Sequence, residues 1–230
     1  MEKITNPLGF IVKNTLLAAA FILGAIAVPA VVHAQSTETY SANWGPDAIP
    51  SAPSLVSLAQ FDTSLGTLDS FSLELVANTD AGQITYTDTS GLPTDVEVLA
   101  VGATVTATAP SGVTLAAVPR QAGSDPDLAA YASYTVIGNS GTASDTFGPD
   151  SNPLDFGPYE GTGDFNVNIS AVLYQQLFTS GGTGTLTSSS EETDGTVSVT
   201  YNFTPVPEPS AIALLGCGLS VLPFLRRRRQ

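Results

Sequence analysis

Three stretches of this chain alternate apolar and polar residues with a period of two, and that pattern constrains the fold more than any other feature. In the first, Phe71, Leu73, Leu75 and Ala77 fall on one face, with Ser70, Ser72, Glu74 and Asn78 mostly on the other. In the second, Phe165, Val167, Ile169 and Ala171 alternate with Asp164, Asn166, Asn168 and Ser170. The third sets Val197, Val199, Tyr201 and Phe203 against Thr196, Ser198, Thr200 and Asn202. Successive side chains of a strand point to opposite faces, so each stretch reads as a half-buried strand.

Residues 96–108 form a longer run whose apolar phase shifts near Leu99, which predicts a bulge or two strands meeting at Gly102. Weaker strands are expected at 84–87, 113–118, 131–137 and 184–188. Residues 171–178 suit two helical turns or a strand end equally. Turn chemistry punctuates the chain at Asn78-Thr79-Asp80-Ala81-Gly82, Ser90-Gly91-Leu92-Pro93, Pro110-Ser111-Gly112 and Asp194-Gly195. Short strands at this spacing predict an all-β domain, an antiparallel β-sandwich of immunoglobulin-like or jelly-roll type. No repeat of fixed period is visible.

The two ends read as addresses. Lys3 and Lys13 precede an apolar stretch over 16–28, Pro29 breaks it, and Val32-His33-Ala34 sets a cut between Ala34 and Gln35. That is the layout of a secretory signal peptide, helical before removal by a signal peptidase. At the other end stand Pro207, Glu208 and Pro209, an apolar run over 211–225, and Arg226, Arg227, Arg228 and Arg229. The prolines keep the motif extended and accessible. The apolar run predicts a transmembrane helix, and the arginines stop transfer on the cytoplasmic side. Fifteen residues reach roughly 22 Å as a helix against a hydrocarbon core of about 30 Å. Such a short span suits a segment held briefly and then removed.

The tail resembles the PEP-CTERM sorting signal, and this resemblance implies processing by an exosortase, a membrane-embedded transpeptidase-like enzyme. Three boundaries follow: a signal peptide over 1–34, one domain over 35–205, and a sorting signal over 206–230. The secretion translocon is the implied first partner. Within the domain, Phe61-Asp62-Thr63-Ser64-Leu65-Gly66-Thr67-Leu68, then Tyr159-Glu160-Gly161-Thr162-Gly163, then Val197-Ser198-Val199-Thr200-Tyr201 occur in order, with Trp44 in the N-terminal stretch. This order resembles the choice-of-anchor E domain family, surface domains found with alternative C-terminal anchoring signals. The resemblance implies an exported protein at the surface or in the extracellular matrix, the biofilm setting of a Gram-negative-type bacterium, and it transfers no catalytic residue.

Composition narrows the chemistry. His33 and Cys217 lie in the two ends. All acids but Glu2 and Glu208, and of the bases only Arg120, fall in 35–205, leaving nineteen acids against one base and a formal charge of −18. No nucleic-acid partner is expected, because phosphate contacts need Lys and Arg. Without His, Cys or Lys, the domain cannot assemble a Ser-His-Asp triad, a Cys-His pair, a His/Cys zinc site or a Schiff base. The charge predicts a soluble, monomeric domain.

The reading is therefore a non-enzymatic surface or matrix protein without a cofactor. A carbohydrate-binding or adhesive module for exopolysaccharide is the alternative, with Trp44, Tyr40, Tyr131, Tyr134 and Tyr159 as the aromatic platform set against ordinary core packing. A glycosidase built on paired carboxylates is the rival from the enzyme class. The densest loop carboxylates are Asp125 with Asp127 and the series Asp145, Asp150, Asp155. Loop oxygens of this kind can hold Ca²⁺ at about 10⁻⁴ to 10⁻³ M. They carry no EF-hand spacing, so solvated carboxylates are favoured and no metal is expected. Asn168-Ile169-Ser170 and Asn202-Phe203-Thr204 match the N-glycosylation triplet by chance, and Ser188 to Ser190 offer hydroxyls for O-linked sugar.

Overall fold

A computed structural model describes residues 35–206, apart from 50–52, 81, 139–140 and 190. The expected signal helix and transmembrane helix lie outside the described residues. Among the described residues no helix is long and apolar enough to cross a membrane.

The described chain is all-β, as the alternation predicts. Its strands are β1 (Ser36–Ala48), β2 (Ser54–Ala59), β3 (Gly66–Asp80), β4 (Gln83–Asp88), β5 (Thr94–Thr108), β6 (Thr114–Ala117), β7 (Arg120–Leu128), β8 (Ser133–Ile137), β9 (Gly141–Asp150), β10 (Asp164–Ser180), β11 (Gly184–Ser188) and β12 (Glu192–Pro205). Two short 3-10 turns, Pro153–Asp155 and Gly157–Tyr159, lead from β9 to β10. Every strand pairing is antiparallel.

One sheet runs β1-β12-β3-β9, a second runs β2-β10-β5-β6 with β7 also on β5, and a third runs β11-β4-β8. The first two sheets close face to face in a sandwich-like pair. Phe71, Leu73, Leu75, Val197, Val199 and Tyr201 of one meet Val56, Leu58, Val105, Val167 and Ile169 of the other. All of these are buried because they occupy alternate positions on their strands. Phe71 stacks on Tyr159 at 4.1 Å between centroids, and Phe165 meets the Tyr159 ring edge-on at 5.0 Å.

The third sheet continues the first. The Glu192–Asp80 pairing of β12 with β3 and the Ser188–Ile84 pairing of β11 with β4 share one register, so β11 and β12 follow β4 and β3 as a single ladder. The Thr79–Gly141 and Gln83–Ile137 pairings show the same continuity for β8 and β9. Two backbone hydrogen bonds lie between the two sets of ladders, Gly138 N–H to Gly82 O at 2.8 Å and Ser189 N–H to Gln83 O at 3.0 Å. Residues 78–80 of the predicted turn are thus strand in β3, and the ladder resumes in β4 at Gln83 across a crease between the two. Beyond it Ile84, Tyr86, Val96, Leu99, Val101, Leu128 and Val136 form a second core.

Three other local expectations are settled by packing. Residues 171–178 are strand, the second half of β10, because they pair with β5 through Val105 to Val98. Asp194-Gly195 makes no turn. It lies inside β12 opposite Asn78 and Ala77, and a Cβ on Gly195 would run into the Val76 carbonyl oxygen and stand 2.9 Å from the Trp44 ring. Glycine there makes room for the indole. The phase shift in 96–108 is a register irregularity within one strand, β5, between Val96 and Leu99 against β7.

Candidate functional site

Of the predicted address residues, Ala34, Pro207, Glu208, Pro209, Arg226, Arg227, Arg228 and Arg229 lie outside the described residues. Gln35 is exposed and directly precedes β1. What the fold shows is where the two ends of the described chain lie. Ser36 pairs with Phe203, so the first residue of β1 and the end of β12 sit on neighbouring strands at one end of the first sheet. β12 is central in that sheet, between β1 and β3.

Its last residues are held firmly. Pro205 pairs with Gly66, the Val206 N–H donates to Leu65 O at 3.0 Å, and the Thr204 hydroxyl donates to Asp69 at 2.8 Å. The Tyr201 hydroxyl donates to Ala59 O at 3.0 Å across the core, and burial raises its pKa. Regular structure therefore extends to Pro205, and one further backbone hydrogen bond holds Val206.

The carboxylates expected in loops stand mostly in strands, Asp125 and Asp127 in β7 and Asp145 and Asp150 in β9, and most of the hydrogen bonds they accept come from nearby backbone. Asp145 accepts from the Ala116 N–H at 2.8 Å and the Thr146 N–H at 2.9 Å, tying β9 to β6. Asp150 accepts from the Asn152 N–H, and Asp155 from the Asn152 side chain at 2.7 Å. Asp125 accepts from the Asp127 N–H at 3.3 Å. Among the described residues no three His, Cys, Asp or Glu side chains gather as a metal site.

Nor do the five aromatics come together on a surface. Trp44 and Tyr159 are buried in the main core, where the Tyr159 hydroxyl lies 2.6 Å from Ser111. Tyr40 packs edge-on to Tyr201 and donates to Glu38. Tyr134 is half-buried beside the second core, and Tyr131 is exposed with a φ of +63°. Asn168 and Asn202 both stand within strands, and the Asn202 amide donates to Ser70 at 3.3 Å.

The residue that sequence reasoning missed is Glu191. It sits at the crease with no exposed surface, and neither carboxylate oxygen has a hydrogen-bond partner among the described residues. Inward positions on β12 are odd-numbered from Thr193 to Phe203, and Glu191 occupies the same phase. Its side chain packs under Gly82 and Gly138. A Cβ on Gly82 would lie 2.5 Å from the Glu191 Cγ, and one on Gly138 would meet its Oε1 and stand 3.0 Å from Val101. Thr79 and Thr193 are buried on neighbouring inward positions, so polar groups separate the two apolar cores. Burial raises the Glu191 carboxyl to about 7.

A second buried acid, Asp88, ends β4. It accepts from the Ser90 N–H at 2.7 Å, and the Thr94 hydroxyl lies beside it outside hydrogen-bond geometry among the described residues. Burial raises its pKa, but the Ser90 amide and the neighbouring hydroxyls outweigh that and hold it below the usual carboxylate value. Glycosidase chemistry needs two carboxyls facing a substrate, one with a raised pKa. Glu191 has the raised pKa and is sealed from solvent.

No family model matches this chain, and no curated protein matches it. Among solved structures it is similar to chains in "Structure of infectious bursal disease virus Gx strain", at 11% identity and a TM-score of 0.17, covering 76% of this chain and 37% of that one. For the Gt strain of the same virus the figures are 13%, 0.15, 77% and 43%. For T=1 particles derived from that virus they are 11%, 0.17, 82% and 48%. The chain spans less than half the length of each. Likeness at these scores carries no argument.

Proposed function

We propose that this chain is an exported, non-enzymatic surface or matrix protein, whose jelly-roll- or immunoglobulin-like domain is delivered by an N-terminal signal and processed at a C-terminal PEP-type sorting signal. The observation that carries the reading is the order of the tail itself. Pro207, Glu208 and Pro209 stand one residue beyond the last paired residues of β12, and a short apolar run and four arginines follow. In this reading Arg226, Arg227, Arg228 and Arg229 stay in the cytoplasm, the motif rests at the outer membrane face, and the sorting enzyme reaches it there. The signal peptidase acts between Ala34 and Gln35. No cofactor takes part.

The fold supports this arrangement in two ways. Both departure points are at one end of the same sheet, so a chain held by either address presents the same end to the membrane. The backbone hydrogen bond from Val206 to Leu65 holds the chain up to the residue before the motif, which favours a short spacing between domain and cut. Glu208 is the charge between the two prolines, and Glu208→Ala leaves export intact while blocking processing. Intact mass and membrane fractionation of wild type and Glu208→Ala, in a host carrying the sorting enzyme, test this. Mature wild-type protein that retains the Cys217 segment reduces the tail to an ordinary membrane anchor.

A further inference from the structure

The second half of β10 is an edge without the protections that the other strand edges carry. β2 pairs with β10 only from Asp164 to Ile169, whereas β5 pairs with it as far as Ser180. Among the described residues no strand pairs with 172–180 on the side away from β5. An open edge is a template for another strand, and proteins blunt such edges with charge, proline or short length. β1 carries Glu38, Asp47 and a cis Gly45-Pro46 bond. β7 carries Asp125, Pro126 and Asp127, and β9 carries Asp145, Asp150 and Pro149. β2, β6, β8 and β11 have four to six residues each.

Residues 172–180 read Val-Leu-Tyr-Gln-Gln-Leu-Phe-Thr-Ser, nine residues with no charge and no proline. Val172 is 55% exposed, Leu173 37% and Phe178 53%. In a domain of formal charge −18, a neutral strand of this length is where a like-charged copy can approach with least repulsion. The one base, Arg120, is close by. It donates to the Tyr174 hydroxyl at 2.9 Å, with its guanidinium 5.5 Å from that ring, and Tyr174 in turn donates to Gln176 at 2.8 Å.

The segment is also self-complementary. Setting an antiparallel copy about a two-fold axis at Gln175 places Val172 opposite Phe178, Leu173 opposite Leu177, and Tyr174 opposite Gln176. Paired residues then share a sheet face, because even positions meet even and odd meet odd. Apolar residues meet apolar ones, and the two amide-bearing positions fall at the centre.

We propose that residues 172–180 of β10 form the self-association edge of this protein, pairing antiparallel with the same strand of a second copy to extend the sheet across a two-fold axis. The monomer expected from overall charge gives way at this one neutral strand. The pairing is isologous, so it closes at two copies.

The test uses the full chain in detergent with Cys217→Ser, carrying either Gln175→Cys or Thr39→Cys, the latter on the charged β1 edge. Mild oxidation is expected to link Gln175→Cys chains into dimers and leave Thr39→Cys chains unlinked. Sedimentation equilibrium of the chain without these cysteines is expected to give a dimer mass. Phe178→Asp and Val172→Asp, each at an exposed position, are expected to weaken the dimer tenfold or more while the β circular dichroism signal persists. A monomer at tens of micromolar overturns the proposal, as do equal cross-linking from Thr39→Cys, a ladder above the dimer, or dimers unaffected by both aspartates.

Discussion

Glu191 and Gly138 share one space at the crease: the carboxyl of the first occupies the volume that a side chain on the second would fill. The acid has no hydrogen-bond partner among the described residues and no water-exposed surface. The arrangement is tolerable because the acid can hold its proton, which avoids an isolated buried charge.

Stability should therefore depend on pH through Glu191. Its ordinary value of 4.5 is raised to about 7 in the folded chain. Below about pH 4.5 the carboxyl is protonated folded or unfolded, and its full contribution is present. Between 4.5 and 7 the unfolded chain releases the proton while the folded chain keeps it, so stability falls as pH rises. Above about 7 the loss is complete, on the order of 3 kcal/mol. Glu191→Gln should abolish this dependence and raise Tm at pH 8 by roughly 5–10 °C for a domain of this size. Thermal melts of wild type and variant across pH 4 to 9 check it. Parallel curves would remove Glu191 as the source.

The glycines over that carboxyl should be intolerant of a methyl group. Gly82→Ala adds a Cβ against the Glu191 stem at a φ of +152°, and should destabilise by about 2 kcal/mol or more. Glu191→Ala opens the same space, so the double variant should recover part of the loss. A double-mutant cycle by urea denaturation measures the coupling, expected at about 1 kcal/mol or above. Additive effects would mean that the two residues do not share the space.

Asp145 should behave as a clasp between β9 and β6. Asp145→Ala strips two backbone N–H groups, those of Ala116 and Thr146, of their acceptor. The expected cost is about 1–3 kcal/mol, read as a lower urea midpoint with an unchanged slope. Asp127→Ala has no such role, since Asp127 contributes only its own N–H to the Asp125 interaction, and should shift the midpoint by less than about 0.5 kcal/mol.

Net charge makes a further expectation. Nineteen acids against one base repel one another, so Tm should rise between low and moderate salt through screening. Calcium and magnesium at matched ionic strength should raise it equally. A larger rise with calcium, saturating in the millimolar range, would reveal a site that binds it.

The strands that were legible in the sequence are those whose two faces meet different environments. β3, β12 and the first half of β10 each bury alternate residues and expose the rest, so Phe71 to Ala77 and Val197 to Phe203 declared themselves. β1, β7 and β9 did not, because edge positions accept Asp, Gly and Pro that disguise a strand as a loop. The Asp194-Gly195 pair mimicked a hairpin, since the demand for glycine comes from the Val76 carbonyl and the Trp44 ring on the two neighbouring strands, both distant in sequence. Glu191 was hidden for the same reason. Its burial is decided by Gly82 and Gly138, which reach it only after three strands have aligned. The carboxylate clusters misled in the opposite direction: acids close in sequence were serving the backbone beside them.

The pairing of Ser36 with Phe203 also decides how the domain bears load. A pull that separates Gln35 from Val206 acts on neighbouring strands at their shared end, and opens the β1–β12 ladder one rung at a time. A pull on Val206 against the far end of the sheet instead drags β12 lengthwise between β1 and β3, so many rungs must shear together. The same domain is thus a zipper along one line of force and a rivet along the other.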